Sequence, residues 1–281
     1  PNQSTLRNML VHPMYAGASN YWGPSYEWTE FCFQKGILET GIQAWSVHPY
    51  GVKTPEEFAA GHTITRDLLE QYGAPEMPIL NTERGFAVKE QDNNEGWSGG
   101  SKERAREFQA WHFVRQFMID QLHDVRLTVW YEWGPNPHYD AFALVDDAGQ
   151  PHAAGRAAAA MMKQFAGYRF DRRVRTAQDL DYVLLFTNEQ GERKLVVWTA
   201  PPAGAAPDEA GTHTLAVAVG TANAFTLTDL FGESQTVEAD DGDLTLDLTG
   251  APQYVTLPAD AELGEWTTPD AEQAYQASRR T

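Results

Sequence analysis

Several residues of this chain have types and spacings that could do chemistry. His48 and Tyr50 flank a proline, Glu83 sits in the run NTERG, and Trp130, Glu132 and Trp133 share the run WYEW. Each group follows a short apolar stretch: IQAWSV over 42–47, MPILN over 77–81 and RLTVWYEW over 126–133. An earlier stretch, LRNMLVHPMY over 6–15, carries His12 and Tyr15. If these stretches are parallel strands, their C-terminal ends gather imidazole, phenol, carboxylate and indole on one rim. Such a set suits a sugar ring. Indoles stack on its apolar face, polar groups bond its hydroxyls, and a carboxylate can attack or stabilise the anomeric carbon.

The elements that must position these groups are legible between them. After the aromatic loop at 16–26, the run EWTEFCFQKGIL at 27–38 has helical spacing, with Lys35-Gly36 as a late stop signal. Thr54-Pro55-Glu56-Glu57 reads as an N-cap, a proline at the first helical position and an acidic first turn, predicting a helix to about Tyr72. Ser101 caps the longest predicted helix, whose apolar stripe is Phe108, Trp111, Val114, Met118 and Leu122. An Ala-rich helix follows over 153–165, with Met161, Met162 and Phe165 available for packing. Strand, loop and helix in repetition predict a parallel sheet with crossover helices.

From about Tyr168 short strands alternate with turns. Strands are expected over 182–187, 194–198, 212–219, 224–229, 235–239, 244–248 and 254–257, divided by turn signals such as Asp241-Gly242. Their density predicts an antiparallel sandwich. The tail from Leu263 is polar.

Composition narrows the function classes. The chain has 281 residues and a net charge of −18, which gives it no general basic footprint for nucleic acid or anionic lipid. No apolar run reaches the roughly 20 residues that span a bilayer. Cys32 is the only cysteine, so no intrachain disulfide forms. His138 and Asp140 lack a second ligand pair, so no metal is expected, and no cofactor.

Taken together, AWSVHPYG (44–51), ILNTERGF (79–86), LTVWYEWGPN (127–136) and AFALVDDAGQPHAA (141–154) resemble the second half of clan A retaining glycoside hydrolases, including cellulase-like and β-xylosidase-like families. The run DLFGESQTVEADDGDLTLDLTGAPQYVTL (229–257) resembles the accessory sandwich that such barrels carry. The resemblance implies an α/β fold: strands 5–8 of a (β/α)8 TIM barrel over 1–167, an antiparallel β-sandwich over 168–260 and a polar tail over 261–281. It implies Glu83 as the nucleophile, Tyr50 as the group that orients it, His48 in the same subsite, and Trp130 or Trp133 as the sugar floor. Glu132 is expected to hydrogen-bond substrate, with His12, Tyr15 and Trp97 shaping outer subsites.

One element of the clan's pattern is missing. Its acid/base Glu lies in an Asn-Glu pair ending the fourth strand, whereas the Asn-Glu pairs here, at 94–95 and 188–189, follow Glu83. Half a barrel also leaves two strand edges unpaired. The expected partners are therefore a carbohydrate and a missing N-terminal half-barrel, on the same polypeptide, a separate chain or a second copy. This chain alone is expected to be inactive, and the complete enzyme to cleave a β-linked poly- or oligosaccharide outside the cell or in the periplasm. The alternative is a non-catalytic carbohydrate-binding or scaffold protein that keeps the aromatic cleft. A plainer reading of Glu83 makes it a solvated carboxylate or the ion-pair partner of Arg84.

Overall fold

The computed structural model describes residues 19–20, 23–24, 26–88, 101–135 and 141–264. The expected strand at 6–15, and with it His12 and Tyr15, lies outside the described residues, as does Trp97.

Three strands form a parallel sheet: β1 (Trp45–Val47), β2 (Ile79–Arg84) and β3 (Val125–Trp130), in that spatial order. Helix α1 (Tyr26–Gln34) precedes β1, α2 (Ala59–Gln71) connects β1 to β2, and α3 (Lys102–Leu122) connects β2 to β3. Trp45, Val47, Ile79 and Val125 share a core with Phe33, Phe58 and Leu69 from the helical layer. Asp120 of α3 accepts from Asn81 Nδ2 at 2.8 Å, Thr128 Oγ1 at 2.7 Å and Gln116 Nε2 at 2.9 Å, and its Oδ1 lies 2.9 Å from His62 Nε2. A buried carboxylate is tolerated because these partners satisfy it.

The opposite face of the sheet is apolar and open. Ser46, Leu80 and Leu127 stand in one cross-strand row. Leu127 is 47% exposed and Val129 is 40% exposed. Parallel sheets are ordinarily covered on both faces. Among the described residues this one is covered only by helices on one side.

The predicted helices hold with two changes. Pro55–Phe58 forms a 3-10 turn before α2, and Thr54 makes no side-chain cap bond. Ser101 does cap α3, its Oγ accepting from Arg104 N at 3.2 Å. Helix α4 (Ala153–Phe165) packs on α3; Met161 is buried as expected, whereas Met162 faces solvent.

After α4 come β4 (Tyr168–Arg173), β5 (Asp181–Asn188), β6 (Arg193–Thr199), β7 (His213–Ala218), β8 (Ala224–Thr228), β9 (Ser234–Glu238), β10 (Asp243–Leu248) and β11 (Gln253–Leu257). All seven expected strands are present, and β4 is an addition. They form a six-stranded antiparallel sheet, β9-β8-β11-β6-β5-β4, and a two-stranded one, β10-β7. Alternate residues of the central strands serve two cores. Val183, Leu185, Leu195 and Val197 meet Leu244, Leu246 and Leu248 of the small sheet. Tyr182, Leu184, Phe186, Val196 and Trp198 instead join Phe108, Trp111, Val114 and Met161 of α3 and α4. The larger sheet is thus buried on both faces, which is why YVLLF and LVVW are continuous apolar runs. Among the described residues no helix is long and apolar enough to cross a membrane.

Candidate active site

The site begins with an irregularity in β2. Asn81 pairs with Thr128 and Arg84 with Trp130, so the step from 81 to 84 on β2 matches the step from 128 to 130 on β3. This bulge inserts one residue and breaks the period of two. Asn81 and Arg84 point into the protein, while the consecutive Thr82 and Glu83 are both half-buried. Glu83 therefore lies within the strand at its C-terminal end, beyond the Asn81 boundary expected from sequence.

Tyr50, three residues past β1, donates its hydroxyl to Glu83 Oε1 at 3.3 Å. Burial raises the phenol's pKa and the neighbouring Glu83 raises it further, so Tyr50 remains a donor. His48 Nε2 lies 3.0 Å from Thr82 Oγ1, which in turn bonds Ser46 Oγ. His48 is buried; burial lowers its pKa, against the pull of Glu83. The His48 imidazole thus ties the end of β1 to the residue preceding Glu83.

Glu83 forms no pair with Arg84. The Arg84 guanidinium turns to the other side, where Nη2 donates to His112 Nε2 at 2.7 Å and to the Val52 carbonyl at 3.5 Å, and its centre lies 5.2 Å from the Tyr50 ring centroid. His112 was not among the residues singled out from sequence, and Arg84 was named only as a possible ion-pair partner of Glu83. A polar imidazole inside the apolar stripe of α3 was the signal that could have found the pair.

Strand β3 ends at Trp130, and the following Tyr131–Glu132 peptide is cis. Of the two indoles, Trp130 is a packing residue: its ring lies 4.9 Å from Phe113 and 6.3 Å from His112, and Nε1 donates to the Phe142 carbonyl at 3.3 Å. Trp133 is the open one, 73% exposed. The backbone of Glu132 and Trp133 is pinned by the segment at 142–145, with Glu132 N donating to Phe142 O at 3.3 Å and Leu144 N to Trp133 O at 3.0 Å. Tyr131 N donates to Arg84 O at 2.8 Å, so the end of β3 is anchored directly beside Glu83. Gly85 permits that approach. A Cβ there would lie 2.3 Å from the Tyr131 carbonyl oxygen. Among the described residues no group of three or more His, Cys, Asp or Glu side chains is placed to hold a metal.

No protein-family model matches the chain, and no curated protein matches its sequence. Solved structures do share its fold. A family 39 glycoside hydrolase from the gut symbiont Bacteroides cellulosilyticus superposes with a TM-score of 0.59 at 19% identity, over 81% of this chain and 46% of that one. A glucosidase from Croceicoccus marinus gives a TM-score of 0.55 at 13% identity, over 82% and 56%. A GH39 enzyme from Xanthomonas axonopodis pv. citri gives 0.50 at 11% identity, over 83% and 59%. The chain therefore shares its fold with part of these TIM-barrel glycoside hydrolases and spans about half the length of these structures.

Proposed function

We propose that this chain supplies the nucleophile side of a retaining glycoside hydrolase acting on a β-linked poly- or oligosaccharide. The observation that carries the reading is the Tyr50 hydroxyl on Glu83 Oε1 at the C-terminal end of a parallel strand. In the first step a Glu83 oxygen attacks the anomeric carbon. The glycosidic C–O bond breaks, and a second carboxylic acid about 5–5.5 Å away protonates the leaving oxygen. That second group then takes a proton from water, the water oxygen attacks the same carbon, and Glu83 departs with net retention of configuration. Tyr50 directs the lone pairs of Glu83, and the exposed Trp133 offers the sugar platform. His48 supports the same subsite through Thr82, Glu132 hydrogen-bonds substrate, and His12, Tyr15 and Trp97 belong to its outer parts.

The acid/base is assigned to a complementary half-barrel, on the same polypeptide, a separate chain or a second copy. The exposed Leu127 and Val129 on the face away from the helices support this assignment, because a barrel interior is filled by side chains from all its strands. A polymeric substrate supports a location outside the cell or in the periplasm.

Dinitrophenyl glycosides separate the two roles, because their leaving group departs without protonation. Although expected to be inactive on ordinary glycosides, the chain alone is expected to release dinitrophenolate from a matching activated β-glycoside, and faster when azide stands in for the activated water. Glu83→Ala is expected to lower that release by roughly a thousandfold or more. Release at the original rate by the variant would remove Glu83 from the reaction, and sugar binding without any release would favour a binding protein.

A further inference from the structure

Arg84 is a cation in an expensive place. It is 4% exposed, and its Nε is buried without a hydrogen-bond partner. Among the described residues it forms no ion pair with a carboxylate; its contacts are His112, the Val52 carbonyl and the face of Tyr50. Burial lowers its pKa to about 10, against the pull of Tyr50, Asp120 and Glu57. A desolvated charge without a counter-ion destabilises a fold, and apolar replacements of such groups are often neutral or stabilising. The same residue sits next to Glu83 in the chain and against Tyr50 in space.

We infer that Arg84, held by His112, is a positioning residue of this site: its guanidinium braces the ring of Tyr50 so that the phenol hydroxyl stays on Glu83. The inference rests on the reading of Glu83 as nucleophile and adds two residues to it. A guanidinium only donates, so the His112 Nε2 that faces it carries a lone pair, and the ring proton is on Nδ1. Burial, then Arg84 and Arg115, hold the imidazole pKa well below its ordinary value, so this acceptor persists wherever the protein is folded. His112 fixes the guanidinium, the guanidinium fixes the ring, and the ring fixes the hydroxyl. The bulge in β2 makes the arrangement possible, sending Glu83 to the open face and its neighbour Arg84 to the helical face. The groups acting on the phenol are Glu83 and Tyr131, which raise its pKa, and Arg84, which lowers it.

The test uses the full chain labelled with 3-fluorotyrosine, with the Tyr50 signal assigned by its loss in Tyr50→Phe. Arg84→Met, Arg84→Lys and His112→Gln are compared by thermal midpoint, by the fluorine shift and titration of Tyr50, and by the rate at which a dinitrophenyl 2-deoxy-2-fluoroglycoside modifies the protein. For Arg84→Met the midpoint is expected to hold or rise, the Tyr50 signal to move and its titration to shift to higher pH. Modification is expected to slow about three- to tenfold, no more than loss of the Tyr50 hydroxyl itself would cost. Lysine restores part of the rate, and glutamine at 112, whose amide oxygen accepts the same bond, stays close to the original. An unmoved Tyr50 signal in folded Arg84→Met, or modification within twofold of the parent, overturns the inference. A lowered midpoint with Tyr50 unmoved also overturns it, marking Arg84 as ordinary packing. If the parent is never modified while the Tyr50 signal still follows Arg84, the brace stands and the nucleophile reading falls.

Discussion

Thr82 and Glu83 are consecutive in a strand, yet both reach the open side because the bulge between Asn81 and Arg84 adds a residue there. The direction of the carboxylate is thus a backbone property, sharpened by the Tyr50 hydroxyl. Removing that donor in Tyr50→Phe is expected to slow fluoroglycoside modification about tenfold, the worth of one hydrogen bond to a charged group, with little change in folding; an unchanged rate would show that Tyr50 does not direct Glu83. Gly85→Ala would press a methyl against the Tyr131 carbonyl oxygen and, at 2.5 Å, against the Phe142 ring. It is expected to lose about 1–3 kcal/mol in a denaturant titration, as overpacked sites do; an unchanged midpoint would mean that the 131–142 segment yields freely. Glu83 and Tyr50 were legible because each follows an apolar strand at a short, fixed offset. The indoles at the end of β3 were not separable in the same way. Period-two alternation ends with β3 at Trp130, so sequence left Trp130 and Trp133 as equals, whereas the structure packs the half-buried Trp130 against the core and bares Trp133.

Glu56 teaches the limit of local pattern at the level of elements. Within Pro55-Glu56-Glu57 it reads as an acidic first turn facing a helix dipole, but the carboxylate is buried and accepts from Arg115 Nε at 2.7 Å and from Trp198 Nε1 at 2.7 Å. Its partners lie far along the chain, on α3 and β6, and no window of sequence places them together. Arg115 Nη1 also donates to the Gly250 carbonyl at 3.4 Å, so one ion pair joins the 3-10 turn before α2, α3 and the antiparallel sheets. Arg115→Met would strand the Glu56 charge and is expected to cost about 3–5 kcal/mol; a loss below 1 kcal/mol would show that the junction rests on the apolar core alone. Burial alone would raise the Glu56 pKa, but the Arg115 charge and hydrogen bonds outweigh it and hold the folded value below that of the unfolded chain. The stabilisation it brings is therefore present above the unfolded pKa and is lost as pH falls through the folded one. Denaturant titrations from pH 6 downward are expected to show a steeper acid loss for the parent than for Glu56→Gln, and parallel curves would contradict the assignment.

Strands β5 and β6 give one set of side chains to the α3–α4 core and the alternate set to the small sheet, so the boundary expected near 167 is crossed by continuous packing. Calorimetry is expected to show a single unfolding transition, and two separated transitions would mean that the antiparallel sheets fold apart from the helices. At this scale the sequence disclosed the strand-and-helix order and the position where parallel units give way to antiparallel strands, since both are written in hydrophobic period and turn residues. How the layers stack was hidden, because a run such as YVLLF announces burial on two faces without naming what covers each. Together, the exposed Leu127 and Val129 and the roughly half-length superposition on glycoside hydrolases support the proposal that the sheet of this molecule is completed from elsewhere. Its proposed chemistry nevertheless resides in this chain, and peptide mapping by mass spectrometry after exposure to dinitrophenyl 2-deoxy-2-fluoro-β-glycosides tests it most directly. A glycosyl adduct on the peptide holding Glu83, absent from Glu83→Gln, is the predicted result; an adduct on Glu132 or another carboxylate, or no adduct with any sugar of the series, would contradict it.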